Sequence, residues 1–458
     1  MEKNFESLRQ AYPVFTYQQY QWEKTGGDLL LTFHFHIGDS IRFTPRIKLC
    51  GHPAYARFYR EHDLKSLEIL FFHIGMIELI SYWKCCCCPE IRIECAHLDE
   101  DALTWWKKLY YHGLGEFFYR NGISADPENF VHLRCTSGRR LPSLPALPLQ
   151  EAHIVPVGGG KDSVVTLEAL KQSTVAPLPL IINPRGATLQ CVSVSGLKEG
   201  FLEIRRPIDK RLLELNAEGY LNGHTPFSAM LAFYTLLAAC LSGRRYIALS
   251  NESSANEPTV QGSDVNHQYS KSVSFESDFR DYVKRQLSDR LSYYSFLRPL
   301  SELQIARLFA GHQAYFPVFR SCNAGSKTDS WCGDCPKCLF AFIILSPFIA
   351  PETLNGIFGK NLLADANLLP VLKELCGESE VKPFECVGTR EEVCMALCET
   401  IRHYASRNES LPSLLESFRQ TALYETYRQR DFRTLLTAWD PQHFLPEAEE
   451  RLLKKALR

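Results

Sequence analysis

The sequence predicts an α/β fold: a central parallel sheet with helices on both faces, flanked by an N-terminal α+β unit and a helical C-terminal unit. Three observations carry this. Over residues 151–350 strand-like and helix-like segments alternate, the order a parallel sheet needs because its crossovers are helices. Before residue 150, period-2 apolar stretches mix with aromatic-rich helical ones, and after 351 the apolar spacing is helical. The expected divisions are therefore 1–150, 151–350 and 351–458, within the two to four domains that 458 residues suggest.

In the first unit Leu31, Phe33, Phe35 and Ile37 alternate with Thr32, His34 and His36, the period of a half-buried strand. Gly38-Asp39-Ser40 reads as a turn into a second strand over 41–44. Residues 64–83 are almost wholly apolar, which predicts a buried helix, and 102–119 predict a second helix whose aromatics form core. LPSLPALP at 141–148 favours extended backbone and reads as the linker. In the central unit the apolar run 154–157 enters a glycine turn, and a helix follows from 161. Strands are expected at 179–183, 201–205 and 246–249, with a helix over 228–242. In the last unit Thr389 and Glu392 form a capping box for a helix over 391–404, and apolar-periodic segments follow at 411–424 and 431–438.

Composition narrows the classes. The chain is 45% hydrophobic with 28 Phe and 20 Tyr, enough to bury sizeable cores, so extended disorder is excluded as the main state. Lys plus Arg total 51 against 52 Asp plus Glu, which gives no global basic excess for a nucleic-acid partner. The apolar runs 227–241 and 339–350 fall short of the ~20 residues of a membrane span and read as buried helices. Residues 1–6 show no apolar signal segment. A cytoplasmic location is expected, and with it 17 cysteines acting as thiols or metal ligands rather than as a disulfide framework.

The richest motif is Gly158-Gly159-Gly160-Lys161-Asp162-Ser163, between a strand and a helix. Glycines let backbone N–H groups approach an anion, the helix N-terminus adds its dipole, Lys161 adds a charge and Ser163 a hydroxyl. Val155 and Asp162 stand where a Walker loop needs glycine and Ser or Thr, so this is a different phosphate loop. It resembles the SGGxDS PP-loop of ATP pyrophosphatases, with Gly158 in place of the first serine. Cys322, Cys332, Cys335 and Cys338 have a spacing that lets four thiolates close on one ion, tetrahedral zinc or an iron–sulfur cluster. A similar arrangement binds zinc in the PP-loop synthases of the queuosine pathway. The consecutive Cys85, Cys86, Cys87 and Cys88 cannot all face one ion and read as small buried hydrophobes. The polar run opened by Ser250, Asn251 and Glu252 follows a strand end, where it would wall a nucleotide site. His267, Tyr269 and Lys271 lie in a second run dense in proton-transfer groups, and His267 and Lys271 would share a helical face.

Together, the glycine loop, SNESSAN at 250–256, VNHQYSK at 265–271, KPFECVGT at 382–389 and GMIELISYWK at 75–84 resemble one family over essentially the whole chain. That family is the ATP-dependent UDP-N-acetylmuramoyl-L-alanyl-L-glutamate epimerases of bacterial peptidoglycan synthesis. The resemblance implies ATP and Mg²⁺ as requirements, AMP and pyrophosphate as products, and inversion of a terminal L-glutamate through adenylation of its α-carboxylate. It also implies a small-molecule partner, with neither nucleic acid nor membrane. In this reading Lys161 and the loop N–H groups hold phosphates, Asp162 holds Mg²⁺ or the leaving pyrophosphate, and His267, Tyr269 and Lys271 are the candidates for α-proton transfer. Two rivals stand beside it: a PP-loop ligase or thiolase acting on a nucleobase or tRNA, and a non-catalytic zinc-stabilised nucleotide sensor.

Overall fold

A computed structural model describes residues 3–256, 268–379 and 381–458. Its strands are β1 (Val14–Thr25), β2 (Asp28–Ile37), β3 (Ile41–Phe43), β4 (Arg46–Leu49), β5 (Glu90–Ile93), β6 (His132–Cys135), β7 (Gln150–Pro156), β8 (Leu178–Ile182), β9 (Leu202–Arg205), β10 (Arg244–Leu249) and β11 (Ser292–Ser295). All join one sheet in the order β11-β10-β7-β8-β9-β4-β2-β1-β5-β6, with β3 paired on β2. From β11 to β9 every pair is parallel. The antiparallel pair β4–β9, with Leu49 opposite Ile204, then carries the sheet without a break into the N-terminal strands. There β4–β2 and β2–β1 are antiparallel, and β1–β5–β6 are parallel. The result is a mixed α/β fold around a mostly parallel sheet.

Alternation along the strands assigns side chains to two cores. Ile154 and Ile247 face one core while Val155 and Ala248 face the other, because successive strand residues point to opposite faces. The helices Glu68–Trp83 and Phe227–Ser242 fill the first core, and Lys161–Leu170, Pro336–Leu345 and Arg390–Ser406 fill the second.

β2 has the expected period, with Leu29, Leu31, Phe33, Phe35 and Ile37 all buried. Its partner β1 escapes a periodicity reading because Gln18, Gln19, Gln21, Glu23 and Lys24 interrupt the pattern and the register shifts between Tyr17 and Gln19. In the helix Glu68–Trp83 every residue is buried, its charge at Glu78 met by Arg206 at 2.8 and 3.0 Å. Gly75 is required there, since a Cβ would lie 1.9 Å from the Tyr17 hydroxyl. The expected helix over 102–119 is instead two, Glu100–Gly113 and Gly115–Arg120, broken at Leu114 between two glycines. Cys85, Cys86, Cys87 and Cys88 are fully buried in the turn after the Glu68–Trp83 helix, part of the first core. Residues 141–148 adopt no regular structure. The capping box of Thr389 and Glu392 starts the helix Arg390–Ser406 as expected. Residues 411–438 form three short helices, Ser413–Arg419, Ala422–Tyr427 and Arg433–Thr437. No helix among the described residues is long and apolar enough to cross a membrane.

Candidate active site

The chain leaves β7 for β8 and β9 on one side, and returns to place β10 and β11 on the other. Such a reversal leaves a crevice beyond the carboxyl ends of the strands, where ligands bind in parallel sheets. Here it is a cleft of ≈ 510 Å³. The loops leaving β7 and β10, residues 158–163 and 250–252, form facing parts of its wall.

The first loop turns at Gly159, whose φ of +84° and contact with Ala187 (3.1 Å from an added Cβ) exclude a side chain. Gly160 caps the helix Lys161–Leu170, and Ser163 Oγ donates to the Gly160 carbonyl at 3.0 Å. An N-terminus thus opens on the cleft beside a lysine, an arrangement suited to an anion. Lys161 is buried. Its ammonium donates to Asp162 Oδ1 at 2.5 Å and to Glu302 Oε2. Burial opposes its charge, but the Asp162 and Glu302 carboxylates outweigh it and hold the lysine above its ordinary pKa. Asp162 keeps 34% of its side chain exposed.

Glu302 begins the helix Glu302–Ala310, where Ser301 and Gln304 make a capping box. Its N–H donates to Glu392 Oε1 at 2.6 Å, while Glu392 Oε2 accepts from Thr389 N–H at 2.7 Å. One carboxylate therefore ties two helix starts together beneath the cleft. Burial raises the Glu392 carboxyl.

In the second loop Asn251 Nδ2 donates to Ser295 Oγ at 3.0 Å, and Glu252 Oε1 accepts from Ser254 Oγ at 2.8 Å. Among the described residues, Ser250 Oγ is buried without a hydrogen-bond partner. Arg298, fully buried, holds this loop to the next one: its guanidinium donates to the Glu252 carbonyl at 2.5 Å, the Lys271 carbonyl and Glu276 Oε2 at 3.1 Å. Lys271 Nζ donates to Cys386 Sγ at 2.9 Å, and both line the cleft. Burial works against the Lys271 charge, but Cys386 and Glu252 outweigh it and raise its pKa.

Residues 319–323 form a further part of the wall. The Arg320 N–H donates to the Gly159 carbonyl at 2.7 Å, pinning this segment to the glycine loop. It continues into Cys322, whose sulfur lies 3.7 Å from that of Cys335; Cys335–Cys338 and Cys332–Cys338 are 3.5 and 3.6 Å. All four sulfurs lie within 4.8 Å of one another, a group able to hold a metal ion.

Two family models match this chain: the MurL N-terminal domain over residues 6–296 and the MurL C-terminal domain over 318–430. The chain belongs to the MurL family. A protein of Salinispora tropica is 37% identical over 402 residues, covering 86% of this chain and 85% of its own. One of Xanthomonas oryzae pv. oryzae is 39% identical over 336 residues, 72% of each chain. A Micromonospora protein is 36% identical over 402 residues, 86% of this chain and 87% of its own. Each bears the name UDP-N-acetyl-alpha-D-muramoyl-L-alanyl-L-glutamate epimerase. No solved structure matches.

The cleft draws on both matched MurL regions: Lys161, Glu252 and Lys271 from the first, Cys322 and Cys386 from the second. Of the residues singled out in the sequence, Gly158, Gly160, Lys161, Asp162, Ser163, Ser250, Asn251, Glu252, Lys271 and Cys322 line it, with Gly159 forming the turn between. Cys332, Cys335 and Cys338 lie behind Cys322. Tyr269 points elsewhere and stacks on His112 at 4.9 Å. His267 lies outside the described residues. Sequence reasoning missed Glu302, Arg298 and Cys386. The Ser301–Gln304 capping box was a readable sign that Glu302 starts a helix, whereas nothing local marks Arg298 as buried.

Proposed function

We propose that this protein inverts the terminal L-glutamate of UDP-N-acetylmuramoyl-L-alanyl-L-glutamate to D-glutamate, with ATP and Mg²⁺, through adenylation of the α-carboxylate, as a step in making peptidoglycan precursors. The observation that carries the reading is the meeting of the glycine loop, Lys161–Asp162 and the 250–252 loop in one cleft at the sheet's reversal point, in a chain whose relatives are named for this epimerisation. The cleft volume is in the range of small-molecule sites, about 300–1,000 Å³.

ATP would supply the activation: an adenylated carboxylate becomes an ester-like carbonyl and stops repelling the negative charge that α-proton loss creates. Each unit of carbon acidity gained is about 1.4 kcal/mol. The residues do the rest. Lys161 and the helix start at Gly160 hold phosphate oxygens. Asp162, the more exposed of Lys161's two carboxylate partners, is suited to Mg²⁺, a hard cation that takes carboxylate oxygen. Lys271, fixed as a cation, compensates charge developing on the substrate carbonyl.

The four cysteines fit zinc. A tetrahedron of thiolates with Zn–S bonds of ~2.3 Å has edges of roughly 3.8 Å, close to the 3.5–3.7 Å of three of the sulfur pairs, with all four sulfurs within 4.8 Å of one another. Four sulfur ligands leave no open position, so the ion's part is to hold residues 319–323 against the glycine loop.

The test is turnover of the L-glutamate nucleotide with ATP and Mg²⁺, following AMP, pyrophosphate and D-glutamate together. ADP and phosphate as products, or inversion with no ATP consumed, would overturn the reading.

A further inference from the structure

Inversion through a carbanion takes a proton from one face of the carbon and returns one to the opposite face, most directly with a separate group on each side. Lys271 sits in the cleft with the reach for such work, but its ammonium has no lone pair, and its neighbours strengthen its hold on the proton. The atom it donates to is Cys386 Sγ, 2.9 Å away. A thiol beside a lysine ammonium ionises more readily, and the thiolate is a competent base.

The placement of Cys386 is built. It lies on the segment 381–388 that leads into the Arg390–Ser406 helix and reaches across to the helix Gly115–Arg120. Phe384 packs its ring on Tyr119 at 5.3 Å, with the Arg120 guanidinium over it at 5.1 Å. Glu385 accepts from Asn323 Nδ2 at 2.9 Å, and Lys382 Nζ donates to the Gly388 carbonyl at 2.8 Å. Lys271 is fixed in turn through its carbonyl, held by Arg298.

We propose that Cys386 is a catalytic residue of the inversion, its thiolate, paired with the Lys271 ammonium, exchanging the α-proton on one face of the activated glutamate. The Cα–H electron pair moves into the substrate carbonyl and the proton moves to Sγ. A donor on the opposite face forms the new Cα–H bond, and Cys386 then returns its proton to water in the cleft. Nothing is oxidised or reduced. This inference rests on the proposed epimerisation and names a group acting in that same site.

The test compares wild type with Cys386→Ala and Cys386→Ser, using the UDP-muramoyl dipeptides ending in L- and in D-glutamate, with ATP and Mg²⁺ in D₂O. Inversion should fall by roughly 10²–10⁴-fold, the usual contribution of a positioned acid or base. Pyrophosphate release should persist, and α-hydrogen exchange should survive from one epimer only. In wild type, iodoacetamide should modify Cys386 in step with loss of inversion, read by peptide mass spectrometry, and the nucleotide substrate should protect it. Inversion at near wild-type rates in Cys386→Ala overturns the proposal. So does loss of pyrophosphate release with inversion, or full inversion after Cys386 is alkylated. Absence of pyrophosphate release in wild type would instead overturn the adenylation reading itself.

Discussion

Replacing Arg298 with Met should cost about 3–5 kcal/mol of stability, the range for removing one partner of a buried ion pair. The figure follows from where the guanidinium sits. The Arg298 and Glu276 side chains are 0% and 2% exposed, so no water replaces the lost partner. Methionine keeps the apolar stem but leaves Glu276 Oε2 and the carbonyls of Glu252 and Lys271 without their donor. Chemical denaturation followed by circular dichroism reads the loss. The double variant Arg298→Met/Glu276→Gln separates causes: with the orphaned charge gone, it should be no less stable than Arg298→Met alone, a coupling of about 0.5–3 kcal/mol. Because the two carbonyls belong to cleft loops, turnover should also fall. An Arg298→Met protein within about 1 kcal/mol of wild type would refute the reasoning, as would strictly additive losses in the double variant.

Asp162→Ala should lower pyrophosphate release by about 10²–10³-fold, the scale of losing one electrostatic contact to transferring groups, with the melting transition little changed because Asp162 is partly exposed and the buried Lys161 keeps Glu302 as its carboxylate partner. Protein purified without added metal should carry one zinc per chain by elemental analysis, and Cys335→Ser should lose the metal and melt earlier. His73 gives a pH dependence: burial lowers its pKa from 6.5 to about 4. Its neutral form is what the fold accepts, so its contribution is complete above pH 6.5 and is lost as pH falls toward 4, by about 3 kcal/mol at most. Acid denaturation of His73→Gln should show a shallower loss over that window; an identical slope would contradict it.

The places of the glycine loop, the four spaced cysteines and the polar end of β10 were legible because each is local: the side chains and the turn that presents them lie within a few residues. β2 was legible for the same reason, its period visible in Leu31, Phe33, Phe35 and Ile37. What sequence alone withheld is long-range. Lys161 meets Glu302, Lys271 meets Cys386, and Arg298 bridges loops near 252 and 271, all pairings set by topology. Cys386 stood in a segment noticed only for its resemblance to a family, with no local pattern to distinguish its thiol from other cysteines. β1 stayed hidden because polar residues fill much of its length, and its identity as a strand depends on partners β2 and β5.

The antiparallel pair β4–β9 joins strands separated by some 150 residues of chain. During synthesis the N-terminal strands therefore wait for roughly 10–30 s, at ordinary elongation rates, before Leu202–Arg205 arrives. Through that interval β4 is an open edge, the kind of surface that recruits the same strand from a neighbouring nascent chain. It is short and carries Arg46 and Lys48, two charges that discourage such pairing. On a crowded polysome, these two residues guard the unfinished protein long before any substrate could reach its cleft.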